Sequence, residues 1–139
     1  MRRRVAIGVI CFLLAACGAD TPTQPAGATL LSAGTWTGDG CLSVGADGCD
    51  LIVGCGHGRF PLPAVRADGS FDVDGTYRVE GGPVDTTPAP PATFSGVLKG
   101  QTLTLTVTPR DASGLPAPNA LQFVLQFRGG SGGCVSACV

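Results

Sequence analysis

Three stretches in the second half of the chain switch between apolar and polar side chains at every step. Phe71, Val73, Gly75, Tyr77 and Val79 alternate with Asp72, Asp74, Thr76, Arg78 and Glu80. Leu103, Leu105 and Val107 alternate with Thr102, Thr104, Thr106 and Thr108, and Leu121, Phe123, Leu125 and Phe127 with Gln122, Val124, Gln126 and Arg128. A period of two puts every apolar residue on one face of an extended strand, and a helix of the same sequence would scatter them. Phe94–Leu98 followed by Lys99-Gly100 joins the second of these runs as a hairpin. Gly34–Gly38 reads as a first strand, and Leu51-Ile52-Val53 as a short apolar run before a glycine cluster. Phe60–Val65 is extended, with Pro61 and Pro63 pointing to an edge or a loop. Pro/Gly-rich segments at 81–91 and 111–119 read as loops.

No stretch after residue 17 sustains a helical period. The 22 glycines and 11 prolines among 139 residues fit short strands joined by turns. Strands that each carry one apolar face must stack or close to hide it. The expected fold is all-β, a small antiparallel meander of about six to eight strands closed as a barrel or sandwich.

The N-terminus has a different character. Met1-Arg2-Arg3-Arg4 leads into an uncharged apolar run that ends in Leu14-Ala15-Ala16-Cys17. A basic head, a run of about a dozen apolar residues and small residues at its end have the layout of a secretory signal peptide. A membrane-spanning helix would need roughly 20 residues. The Leu14-Ala15-Ala16-Cys17 string resembles the lipobox of bacterial lipoprotein precursors. That resemblance, which covers about the first 20 residues, implies diacylglyceryl transfer to the Cys17 thiol and cleavage between Ala16 and Cys17. It also implies acylation of the new amine, such as by palmitate. Gly18 rather than Asp after the cysteine implies the outer membrane in a diderm cell. The domain reading is therefore residues 1–16 as signal peptide, 17–28 as a flexible tether bearing lipidated Cys17, and 29–139 as a single β domain. Loss of residues 1–16 removes three of nine basic residues, leaving six against ten acidic ones. That balance supplies no electrostatic footprint for nucleic acid.

Five cysteines remain after Cys11 and Cys17: Cys41, Cys49, Cys55, Cys134 and Cys138. In an exported small domain they are disulfide candidates with one thiol left over. The favoured layout sets the C-terminal pair beside the Cys41–Cys55 segment. A local Cys134–Cys138 bridge competes with it. A different chemistry would join Cys55, His57, Cys134 and Cys138 as a Zn²⁺ or Cu⁺ site. Gly54–Gly58 is superficially like a phosphate loop and 129–133 like a nucleophile elbow, but neither precedes a helix. Asp68, Asp72 and Asp74 lack the spacing of a calcium loop. No catalytic constellation emerges, and no cofactor is expected.

Gly34-Thr35-Trp36 resembles the Gly-x-Trp signature of the calycins, the lipocalin-type barrels, which implies a small apolar-ligand carrier. The residues alone assign Trp36 to the core, its ring NH bonded to backbone. Three function classes follow. The first is a lipid-anchored, non-enzymatic envelope module that meets a protein or the cell wall. The others are an apolar-ligand carrier and a Cys/His metal or thiol protein.

Overall fold

A computed structural model describes residues 27–81 and 87–135. Residues 1–16, Cys17 and Cys138 lie outside the described residues, so the readings made on them do too. Ten strands are present: β1 (Thr29–Leu30), β2 (Gly34–Gly38), β3 (Cys41–Gly45), β4 (Gly48–Val53), β5 (Gly56–Phe60), β6 (Ala64–Val65), β7 (Ser70–Val79), β8 (Pro91–Lys99), β9 (Thr102–Pro109) and β10 (Leu121–Gly129). Eight of them form a closed antiparallel barrel in the order β10-β2-β3-β4-β5-β7-β8-β9, and β1 pairs with β6 apart from it. The expected all-β meander is thus a barrel, and not a sandwich.

The alternation in sequence becomes inside and outside. Leu103, Leu105 and Val107 of β9 are fully buried, as are Phe94 of β8 and Leu125 of β10. No polar or charged residue is buried among the described residues. Outward positions carry Thr93, Ser95 and Lys99 on β8, Thr102 to Thr108 on β9, and Gln122, Gln126 and Arg128 on β10. Val79 closes the β7 alternation in sequence, yet it is 67% exposed. It ends its strand at the barrel rim, where the pleat has no core to face.

Two strands sit where the sequence gave weaker signals. Cys41–Gly45 pairs with Gly48–Val53 across Ala46-Asp47 as a tight hairpin. The glycine cluster contains β5, which pairs with both β4 and β7. Its glycines are needed for space. A Cβ at Gly58 would stand 3.0 Å from the Phe94 ring, one at Gly56 2.8 Å from Tyr77 Cζ, and one at Gly75 of β7 2.9 Å from Phe94. One at Gly96 of β8 would stand 2.2 Å from the Phe71 ring. Glycine in a strand interior commonly marks such a close approach. Phe94 also stacks on Phe60, with ring centroids 4.3 Å apart. Large rings seated on missing side chains fill the barrel.

The seam between first and last strands closes through Leu125↔Gly38, Gln126↔Thr37 and Phe127↔Trp36. Trp36 is 1% exposed, packs 4.9 Å from Phe127 and donates its Nε1–H to the Ser32 carbonyl at 3.2 Å. It is therefore the core anchor expected from its residue type. The β1–β6 pair covers one end of the barrel and buries Leu31 and Val65. Phe60–Val65, read as one extended piece, divides accordingly: Phe60 ends β5, Pro61–Pro63 turn the corner, and Ala64–Val65 form β6.

Adding volume where a ring lies against a glycine forces that ring or the backbone to move. Gly96→Ala should cost about 1–3 kcal/mol of stability by overpacking, whereas Gly100→Ala, at an open turn, meets no neighbouring atom within 4 Å and carries only its positive φ of 60°. Urea denaturation of the two variants checks this: the Gly96 variant should lower the midpoint further.

Candidate functional site

Cys41, Cys49 and Cys55 lie on or between β3, β4 and β5, with Cys134 bonded to the first of them. Cys41 begins β3 and faces outward beside Ser43; its sulfur is bonded to that of Cys134, with 5.6 Å between the Cα atoms and 93 residues between the partners. The C-terminal segment therefore lies beside the Cys41–Cys55 region, as the favoured layout had it. A local bridge from Cys134 to Cys138 is excluded by that bond. Cys55, in the turn between β4 and β5, is also disulfide-bonded. Among the described residues Cys49 is the free thiol; it points into the barrel from β4 and is 2% exposed.

This distribution answers the metal arrangement. Cys55 and Cys134 are both oxidised and offer no thiolate to a cation. Among the described residues, no group of three or more His, Cys, Asp or Glu side chains is placed to hold a metal ion. His57 instead lies on the outer face of β5, opposite Ile52 of β4 and Arg78 of β7.

Those outward side chains line a groove of about 510 Å³ on the barrel wall. In one row Ser43, Asp50, Arg59 and Thr76 stand side by side across β3, β4, β5 and β7. Arg59 Nε donates to Asp50 Oδ1 at 2.6 Å, but both side chains are largely in water, so the pair contributes little to stability. The next row holds Ile52, His57 and Arg78. Arg78 is tied to Thr87 in the following loop. His57 Nε2 is shut off from solvent without a hydrogen-bond partner, and Glu80 Oε2 lies 3.5 Å away. That separation suits an ion pair when the imidazole is protonated and is long for a hydrogen bond. Gly133 and Cys134 of the C-terminal segment also border the groove. In the sequence His57 suggests a metal ligand through Cys55-Gly56-His57, or by itself a solvated loop histidine. Its place among Asp50, Arg59, Arg78 and Glu80 follows from a strand register that a glycine-rich segment does not advertise.

The aspartates once weighed for calcium have other work. Asp72 accepts from Ser95 Oγ at 2.8 Å and from Arg66 at 3.0 Å, and these two, in that order, hold its carboxyl below the ordinary range. Asp68 caps its own turn by accepting from the Ser70 hydroxyl and amide, which lowers its pKa likewise. Asp74 pairs with Arg110 at 2.8 Å. Each carboxylate is matched by donors on the wall of the barrel.

Comparison of the chain with protein-family models, with curated proteins and with solved structures found no match.

Burial, and secondarily the neighbouring Asp50 charge, push the Cys49 thiol up to about 12. In the unfolded chain it ionises near 8.5, approximately. Folding thus favours the protonated form. Stability linked to Cys49 is complete below the unfolded value and falls as pH rises toward 12. Burial raises Tyr77 as well, with the same sign. Cys49→Ala should therefore flatten, without abolishing, the loss of stability above about pH 9, measured by urea midpoints across that range. In the native wild type at pH 8, iodoacetamide should leave Cys49 unmodified by peptide mass mapping.

Proposed function

We propose that this chain is an exported lipoprotein, anchored through an acylated Cys17, whose barrel is a non-enzymatic binding or interaction module of the cell envelope. The observation that carries the reading is the oxidised state of Cys41, Cys134 and Cys55. Disulfides persist in oxidising compartments and serve small exported domains with modest cores. The lipobox-like Leu14-Ala15-Ala16-Cys17 supplies both the route out and the attachment.

The barrel wall supports a lipid anchor over strand-built insertion. Barrels that cross membranes turn an apolar band outward and a polar lining inward. Here the outward positions are mostly Thr, Ser, Gln and charged residues, with Ile52, Val97 and Val124 scattered singly among them and forming no apolar band, and the inward row is Leu, Val and Phe. Such a wall belongs in water, so membrane attachment falls to the acyl chains. One chain alone would hold marginally, and two or three would hold firmly.

The chain enters the barrel at the end covered by β1 and β6, where Gly27 lies against Ala67. An anchor there turns that end toward the membrane. It leaves the rim at Val79, Pro90, Pro109 and Leu115, and the side groove at His57, open to partners. In a diderm cell, Gly18 after the cysteine favours the outer membrane. A calycin-like carrier would hold its apolar ligand inside the barrel, where Phe60, Phe71, Phe94 and Trp36 already stand. The filled interior favours recognition on the outer surface, by an envelope protein or the cell wall.

Labelling cells with an alkynyl fatty acid tests the anchor. The wild-type protein should carry the label and fractionate with membranes, and Cys17→Ser should lose the label and accumulate as the uncleaved precursor. A Cys17→Ser protein cut at the same bond and held as tightly would overturn the reading.

A further inference from the structure

We infer that the C-terminal segment from Gly129 to Cys134 is a latch: thiol–disulfide exchange at Cys41–Cys134 releases it from the barrel wall and widens the outer groove. The inference rests on the outer surface as the binding surface only for its consequence. Release of the segment itself is read without any ligand.

Four observations carry it. The barrel seam does not depend on the latch, because β10 and β2 close it by their own ladder and by Trp36 against Phe127. The segment then leaves β10 at Gly129 and Gly130, both at positive φ (68° and 74°), and climbs the outside of β2 and β3 to Cys41. It buries nothing: residues 130–133 are exposed, Cys134 is half-buried and Val135 is 87% exposed. Among the described residues its hydrogen bonding to the wall is the Thr35 hydroxyl donating to the Gly132 carbonyl. The Cys41–Cys134 bond pins the Gly-Gly-Ser-Gly-Gly string to β3, since such a string gains little by lying down and loses much chain entropy; Cys55 in the β4–β5 turn carries a separate disulfide, which a Cys41→Ser/Cys134→Ser double variant leaves intact.

The position of the segment gives the latch a consequence. On one side lies the 510 Å³ groove, bordered by Gly133 and Cys134; on the other lies a hollow of about 330 Å³ bordered by Gly130 and Ser131. Ser43 lines both. The segment is the partition between them, and its departure joins them into one trough along β3. The half-buried Cys41 and Cys134 leave the bond open to attack. A dithiol supplies the reaction: one thiolate attacks a sulfur of the bond, and the second resolves the mixed disulfide. Cys41 and Cys134 end as thiols with the two electrons and two protons, and the dithiol ends as its own disulfide.

Hydrogen exchange on the purified mature protein tests this, with and without dithiothreitol and beside a Cys41→Ser/Cys134→Ser double variant. Carbethoxylation of His57, the chain's one histidine, is followed in the same samples. Reduction and the double substitution should each speed amide exchange in residues 130–135 about tenfold or more, as for a locally released segment. His57 should react several-fold faster, while peptides from β7, β8 and β9 keep their protection. Unchanged exchange in residues 130–135 would overturn the latch. Loss of protection throughout the barrel would overturn it too, by making the bond a staple of the whole fold. Neither result bears on Cys17 or on what binds outside.

Discussion

Closing eight short strands on themselves creates an interior that must be filled, and this chain fills it with rings laid against glycines. Phe94 lies over Gly58 and Gly75, Phe71 over Gly96 and Tyr77 over Gly56. Each pair removes a β-carbon from one strand so that a large side chain from a nearby strand can lie over it. Packing at this density makes even one added methyl felt. It also decides where function can reside. A barrel filled by its own side chains leaves its wall and rims as the surfaces for the recognition proposed above.

The wall is the reverse of the interior in composition and resembles it in economy. Arg66, Ser95 and Asp72 form one linked set, Arg110, Thr93 and Asp74 another, and Arg59 with Asp50 a third. All lie in water and contribute modestly to stability. Their effect is to match Asp72 and Asp74 with donors on the outer face of β7 and β8. The side groove differs, because there His57 Nε2 has no hydrogen-bond partner and Glu80 stands near it. The bordering segment owes its place to a disulfide that spans 93 residues of sequence.

Legibility in the sequence followed the strength of alternation. β7, β8, β9 and β10 each carry three or four apolar residues at a period of two, and their faces and turns could be read directly. So could Trp36, because a lone buried indole needs a partner for its NH. β5 was hidden, since Gly56 and Gly58 occupy its inward positions and erase the apolar signal that would mark a strand. The same two glycines point to large neighbours once the barrel is seen, which is the trace a reader could have followed. The hairpin of β3 and β4 was obscured by Cys41 and Cys49 at its two strand starts, one bonded outside and the other buried inside. The groove was illegible for a different reason: it depends on which strands neighbour which, and pairing across β4, β5 and β7 is a property of closure rather than of any local run.

The barrel interior is filled by its own side chains, and the proposed recognition is left to its outside. Titration of the folded protein with the fluorescent apolar probe N-phenyl-1-naphthylamine tests it most directly. A solid interior predicts no saturable, one-to-one rise in emission. A stoichiometric complex that is lost when Leu105 or Phe94 is replaced by a bulkier or charged residue, with the barrel still folded, would contradict it and return the ligand to the inside.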